Sequence, residues 1–187
     1  VYEGNQPLHL VDNPAFQETS NSTKPLASKA WLGGAMAIKE DTSATFRTAS
    51  ASNLLIVGQQ DETTTCMMSS ALLSLEKQFP SGDVSFIVLD GTPKDQQHAS
   101  ILPNAMRSMA NSPTVVGVRE VESVMTTLNT ELQKRLADGA GDAPTIFLCI
   151  SGLHRFRDLR RNEDDYGFSM GDEEKQKTPA QVLAELL

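Results

Sequence analysis

The sequence contains few cysteines and no recognisable zinc-binding spacing. Only two of its 187 residues are cysteines, Cys66 and Cys149, which are too few for a disulfide framework. Neither lies in a Cys-x-x-Cys motif, and His9, His98 and His154 are far apart in sequence, so no metal site is expected. The position of Cys149 inside an apolar run predicts a buried thiol. This cysteine content fits a reducing compartment, and we expect a cytoplasmic protein.

An excess of positive charge is also absent. The chain carries 16 Lys and Arg against 24 Asp and Glu, a formal net charge of −8 at pH 7, with a sequence pI near 4.8. A domain that binds nucleic acid by itself usually has a basic face. The acidic balance therefore argues against autonomous DNA binding, but not against a larger DNA-handling protein whose basic surface lies elsewhere.

Long apolar runs are missing as well. No run approaches 18 residues and no charged-then-apolar leader opens the sequence, so we expect neither a membrane segment nor a signal peptide. Apolar residues make up 39% and charged residues 21% of the chain, a balance typical of globular domains. A length of 187 residues suits one domain with a substantial core.

What is present divides into a lead-in segment and an α/β domain. Residues 1–30 are rich in Asn, Ser, Thr and Pro, which predicts little regular structure. Residues 31–187 are predicted to form the domain. Its first part, residues 31–48, has two short alternating stretches that predict a β-hairpin, and its core covers residues 50–187.

Nearly continuous apolar runs in the core predict three buried strands, at residues 54–57, 84–89 and 145–150. Apolar residues recur at helical spacing in residues 64–78 and 121–136, and Thr178-Pro179 predicts the start of a final helix. Apolar strands that alternate with helices predict a parallel sheet covered on both faces. Right-handed crossovers would place the strand ends at one edge, where such folds bind ligands.

The turn after the first predicted strand can be compared with a phosphate-binding loop, GxxxxGK[ST]. Its residues are Gly58, Gln59, Gln60, Asp61, Glu62, Thr63, Thr64 and Thr65. The opening glycine and the final Mg²⁺-binding hydroxyl are matched, but threonines replace the second glycine and the lysine. Asp61 and Glu62 would repel a triphosphate by more than about 1 kcal/mol if they pointed inward. They would equally well cap the helix N-terminus in place of an anion.

The order of segments around this turn resembles the motor domain of FtsK/SpoIIIE-type DNA translocases and their HerA-clan relatives. In that family the second strand ends in Asp-Pro-Lys, and residues 86–94 read FIVLDGTPK here, with two residues inserted. A long helix with charged residues at its end follows, similar to residues 128–135 (LNTELQKR). A proline and the Walker B strand come next, similar to residues 144–153 (PTIFLCISGL). The resemblance covers roughly residues 50–187.

This resemblance implies a RecA-like P-loop NTPase fold, a three-layer α/β sandwich with a mainly parallel sheet, which we expect to be incomplete at the C-terminus. It also implies lost catalysis. Ser151 stands where the family has the Mg²⁺-ordering Asp, and Gly152 where it has the Glu that polarises water. Phosphoryl transfer depends on positioning and charge neutralisation, so losing both acids and the lysine predicts no hydrolysis.

The leading hypothesis is therefore a degenerate, non-hydrolysing RecA-like module of a larger FtsK/SpoIIIE-type DNA-translocating ATPase, with a structural, regulatory or partner-docking role. No cofactor is expected in such a domain. Its partners would be other ATPase modules of the same parent chain or oligomer, with DNA contacted through the parent. One alternative is an active translocase motor for DNA or protein, which would need ATP, Mg²⁺ and a Lys or Arg from outside the motif. A second alternative is an α/β interaction module that binds no nucleotide.

A basic stretch follows the third predicted strand. Its four arginines are Arg155, Arg157, Arg160 and Arg161. They form a possible interaction patch toward DNA phosphates or toward the nucleotide of a neighbouring subunit. Alternatively, they make surface ion pairs with the acidic residues interspersed among them, Asp158, Glu163, Asp164 and Asp165.

Overall fold

The computed structural model describes residues 9–34, 41–47, 52–139, 141–160 and 177–187. The strands among them are β1 (Ala27–Gly33), β2 (Thr42–Arg47), β3 (Val84–Asp90), β4 (Thr114–Val116) and β5 (Thr145–Ser151). The α-helices are α1 (Pro14–Gln17), α2 (Asp61–Glu76), α3 (Ile101–Arg107), α4 (Val121–Asp138) and α5 (Pro179–Leu186). Within these described residues, no helix is long and apolar enough to cross a membrane.

The chain divides into two compact units. The first unit comprises Val1–Phe86, Pro93–Pro113 and Pro144–Phe147, and the second comprises Ile87–Thr92, Thr114–Ala143 and Leu148–Leu187.

A three-stranded sheet has the order β4-β3-β5. Strands β3 and β4 pair in parallel, with Ile87 opposite Thr114 and Leu89 opposite Val116. At one end of the β3–β5 pair, Thr145 N–H donates to Asp83 O at 2.9 Å, and at the other end Gly91 N–H donates to Ser151 O at 3.0 Å. The residue numbers rise together along both strands, so this pair is parallel too. The prediction of a mixed α/β fold with a parallel sheet is confirmed.

The prediction of a strand at residues 54–57 is wrong. These residues belong to no helix or strand, and Leu55 and Val57 are largely exposed. The third strand of the sheet is instead β4, at a position where the sequence predicts no strand. An apolar run shows that a segment can be buried, but a strand also needs a neighbour that accepts its backbone hydrogen bonds, and no local pattern names that neighbour. With only three residues, β4 is too short for its composition to distinguish it from a loop.

In the first unit, β1 and β2 form an antiparallel pair, with Ala27 opposite Arg47. This pair lies where the sequence predicts a hairpin, although β1 begins at Ala27, within the predicted lead-in segment. Helix α2 packs against β1. The side-chain amide of Gln78, just beyond α2, accepts from Lys29 N–H at 2.8 Å and donates to Lys29 O at 2.6 Å, as a neighbouring strand would.

The core of the first unit is built around aromatic rings. Phe147 on β5 stacks on Phe86 of β3, with ring centroids 5.5 Å apart, and meets the edges of Phe46 and Phe79 at 5.7 and 5.9 Å. Such pairs add stability beyond the burial of their apolar area. Helices α2 and α3 also pack against each other, and their buried residues include Leu72, Leu75, Leu102 and Met106.

In the second unit, the predicted helices at residues 121–136 and after Thr178 are confirmed as α4 and α5. Helix α4 buries one stripe, Val121, Met125 and Leu128, at the spacing that the sequence indicated. Helix α5 begins with a capping box. Thr178 N–H donates to Gln181 Oε1 at 2.9 Å, and Gln181 N–H donates to Thr178 Oγ1 at 3.3 Å, which satisfies two free donors at the helix start.

Candidate functional site

The turn from Gly58 to Thr65 is mostly helical. Gly58, Gln59 and Gln60 precede α2, whereas Asp61, Glu62, Thr63, Thr64 and Thr65 are its first five residues. The Thr64 N–H already donates to Gln60 O at 3.1 Å as part of the helical ladder. A phosphate-binding loop works by turning several free N–H groups toward one anion. Here the chain enters the helix before such a loop can form.

The three hydroxyls of this turn are directed to the protein itself. Thr64 Oγ1 and Thr65 Oγ1 both donate to Asp61 O, at 2.9 and 2.7 Å, and Thr63 Oγ1 donates to Gln60 Oε1 at 3.1 Å. The Thr65 side chain, which matched the Mg²⁺-binding hydroxyl, is buried at 5% exposure. The Thr65 hydroxyl is therefore withdrawn from solvent, whereas Thr63 is exposed and Thr64 half-buried, and the hydroxyl protons of both are engaged by the protein.

Asp61 and Glu62 are exposed in the first turn of α2. Negative charge at this position is favoured by the helix dipole. It also fills the electrostatic role that a bound phosphate would have at the same helix end. Both acids therefore lie at the helix end where the sequence predicted that they could take the place of an anion.

In the second unit, the carboxyl ends of β3 and β5 lie side by side. Besides the Gly91–Ser151 backbone bond, Thr92 Oγ1 and Ser151 Oγ are 3.4 Å apart. The Asp90 carboxylate accepts a hydrogen bond from Thr92 N–H at 2.9 Å, which stabilises the turn that follows β3. Two hydroxyls and one carboxylate are thus gathered at this edge. Sequence reasoning had identified Ser151 but had missed Thr92, whose place beside it depends on strand pairing.

Two glycines are required by the backbone at this edge. Gly152 has φ 70° and ψ 47°, in the left-handed region that disfavours side chains. A Cβ on Gly91 would lie 3.0 Å from Phe156 Cε2, 3.0 Å from Ser151 O and 3.3 Å from Gly152 O. Gly152 therefore has a conformational reason to be glycine in this chain, which the comparison with a catalytic glutamate did not reveal.

The arginine stretch follows directly. Phe156 and Leu159 are buried, at 1% and 8% exposure, and anchor two short 3₁₀ turns, while Arg155, Arg157 and Arg160 are exposed. Arg160 Nη2 donates to His154 O at 2.5 Å. Across the part of the chain that the structure describes, no ion pair joins these three arginines to a carboxylate. Arg161, Glu163, Asp164 and Asp165 lie outside the described residues.

Elsewhere in the described residues, two ionisable groups, Cys149 and Glu131, have a shifted pKa. Burial raises the pKa of the Cys149 thiol to about 12, so it stays protonated, as expected of a packed cysteine. The hydrogen bond from Arg135, at 2.6 Å, lowers the pKa of Glu131 on the same helix. Counting only described residues, no group of three or more His, Cys, Asp or Glu side chains is placed to hold a metal ion.

Comparison of the chain with protein-family models, with curated proteins and with solved structures gives no match.

Proposed function

We propose that this chain is a degenerate, non-hydrolysing RecA-like module of a larger FtsK/SpoIIIE-type ATPase, with a structural, regulatory or partner-docking role. Support comes first from the order of elements. The turn that begins at Gly58 leads into α2, and β3 then ends at Asp90. Helix α4 comes later in the chain, before β5, which is hydrogen-bonded in parallel to β3. Two adjacent parallel strands that bring their carboxyl ends to one edge suit a fold of this class.

The observation that carries the loss of hydrolysis is the local structure of the turn. Its helical start leaves no loop to surround a phosphate, and its hydroxyls donate to Asp61 O and Gln60. At the end of β5, Ser151 and Gly152 supply neither a carboxylate for Mg²⁺ nor a base. A phosphoryl-transfer site without its lysine, metal-ordering acid and base has lost the groups that neutralise charge.

Calorimetry with Mg-ATP tests this proposal directly. We expect no binding stronger than about 1 mM, roughly −4 kcal/mol, and no phosphate release above background. A micromolar dissociation constant would instead favour the active-motor alternative, in which the phosphate-bridging cation comes from outside the turn. A control titration with Mg²⁺ alone separates nucleotide binding from cation binding to the acidic surface.

Restoring the missing groups tests the RecA-like assignment against the plain interaction module. The variant combines Thr63→Gly, Thr64→Lys, Ser151→Asp and Gly152→Glu. Gly152 has a left-handed backbone conformation, so the last change alone costs about 1–2 kcal/mol of stability. A triple variant that keeps Gly152 therefore serves both as the folding control and as the variant for binding measurements. Gain of Mg-ATP binding by the triple variant supports a degenerate nucleotide module. A folded triple variant with no gain favours the interaction module.

The proposed route to DNA is through the parent protein. A net charge of −8 opposes association with a polyanion. In a fluorescence anisotropy titration with duplex DNA at low salt, we expect a dissociation constant no lower than about 100 µM, which is the weak end of non-specific binding. Micromolar affinity with a steep salt dependence would contradict this part of the proposal and would make the arginine stretch a DNA contact.

A further inference from the structure

Residues 9–19, which we call the strap, are hydrogen-bonded to the rest of the first unit through one side chain. Most hydrogen bonds of the strap join its own residues, as where Gln17 Nε2 donates to Val11 O at 2.6 Å. Among the residues that the structure describes, only Lys77 hydrogen-bonds to the strap from outside. Its Nζ donates to Phe16 O at 2.5 Å and to Gln17 O at 3.4 Å, and lies 4.2 Å from the centroid of the Phe16 ring. Lys77, which follows the last residue of α2, therefore holds the strap in place.

Little apolar burial supports the strap. Asn13 is its only buried residue, and its largest apolar side chains, Leu10 and Phe16, are half-buried. A segment with few buried contacts opens at a low free-energy cost. Helix α1 within it has four residues, too few to persist once the segment is released. The strap is therefore expected to open and close as one piece while the rest of the protein stays folded.

A cleft of about 400 Å³ lies between the strap and α2. The strap lines it with the apolar side chains of Leu10, Val11 and Phe16, and α2 contributes Leu73. This volume lies in the range of small-molecule sites, which are walled mainly by apolar side chains.

The charged groups that line the cleft already have partners in the protein. Glu76 Oε1 accepts from Ala110 N–H at 2.9 Å, and the Lys77 ammonium donates to the strap. Their charges are opposite, so together they require no net charge in a ligand. The other polar side chains of the lining, His9 and Ser108, are exposed to water. A charged ligand would lose hydration here without gaining a free partner, so the lining suits an uncharged apolar molecule.

We propose that the strap is a lid over a binding site for a small, uncharged apolar molecule, and that Lys77 holds this lid closed. A molecule in the cleft contacts Leu73 on α2 and the strap side chains Leu10 and Phe16 together, so it binds the closed form in preference to the open one. By mass action it then stabilises the closed strap. This inference does not depend on the proposed function, because it uses neither the turn after Gly58 nor the ends of β3 and β5.

Hydrogen exchange of the whole chain tests the role of Lys77. The variant Lys77→Met keeps an apolar stem and removes the ammonium, and we expect the amides of Gln17 and Glu18 to exchange at least about tenfold faster, with those of β3 unchanged. Lys77→Arg keeps the charge and its contact with the ring, so it is expected to retain protection. The matched control, Lys29→Met, makes the same change at an exposed side chain of β1. Equal strap exchange in the two methionine variants, or an equal loss of protection in β3, overturns the role of Lys77.

Binding of 1-hexanol, a small uncharged apolar probe, tests the site and is followed by ligand-observed NMR. We expect a dissociation constant of about 1 mM and slower exchange at Gln17 and Glu18 when hexanol is bound. Hexanoate and hexylamine, which add a negative or a positive charge to the same alkyl chain, are expected to bind at least about tenfold more weakly. Leu73→Asn places an amide in the cleft and is expected to weaken hexanol binding by a similar factor, whereas Lys29→Met leaves it unchanged. No saturable binding, tighter binding of a charged analogue, or binding that neither slows strap exchange nor depends on Leu73 overturns the proposal.

Discussion

Replacing Gly91 with alanine is the sharpest test of how β3 and β5 meet at their carboxyl ends. The new Cβ would lie 3.0 Å from Ser151 O and 3.0 Å from Phe156 Cε2, closer than ordinary van der Waals contact. One of these atoms is backbone and the other belongs to a ring that is 1% exposed, so neither can move cheaply. Overpacking at such a site costs about 1–3 kcal/mol. At about 2–4 °C per kcal/mol for a chain of this size, the expected fall in melting temperature is about 2–12 °C.

The assay is thermal and urea unfolding followed by circular dichroism, with Gly117→Ala as the matched control. A Cβ on Gly117 meets its nearest atom, Glu120 Oε2, at an ordinary 3.7 Å, and we expect its stability to change by less than about 0.5 kcal/mol. The Gly91→Ala variant is also expected to lose exchange protection at its own N–H, which donates to Ser151 O. Equal stabilities for the two alanine variants would refute the close approach of these strand ends.

Four further outcomes are expected. Thr64→Lys alone leaves phosphate release at background, because the helical turn and the missing acids remain; turnover typical of a translocating motor would show that the chemistry uses other groups. Ser74→Ala lowers the free energy of unfolding by about 1–3 kcal/mol, because the backbone N–H of the buried Trp31 loses its acceptor, Ser74 Oγ, at 3.0 Å. Urea unfolding measures this change. At pH 8, a thiol reagent is expected to modify the exposed Cys66 faster than the half-buried Cys149, because burial raises the pKa of Cys149 from 9.0 to about 12. For the same reason this thiol makes the free energy of unfolding fall as the pH rises from 9.0 toward 12, since the unfolded thiol ionises first.

The candidate site was only partly accessible to sequence reasoning. The missing lysine and the two acidic residues at Asp61 and Glu62 were apparent from the residues alone, and the structure gives the acidic pair a place in the first turn of α2. The early start of α2 was not apparent, because a turn and a first helical turn can share the same residues. The left-handed conformation of Gly152 was also hidden, since a glycine in a sequence does not state which backbone angles it adopts.

Two helices of this protein, α4 and α5, are predicted by local features of its sequence, whereas α1 and α3 are not. Residue spacing in α4 and the Thr178-Pro179 signal before α5 are local, and each helix satisfies its backbone hydrogen bonds within itself. Two apolar runs, at β3 and β5, were likewise sufficient to predict strands. The tertiary structure alone decided which strands pair. It placed the three residues of β4 beside β3 and left the more apolar run at Leu54–Val57 outside the sheet. A strand obtains its hydrogen bonds from a neighbour distant in sequence, so its existence depends on the arrangement of the whole chain.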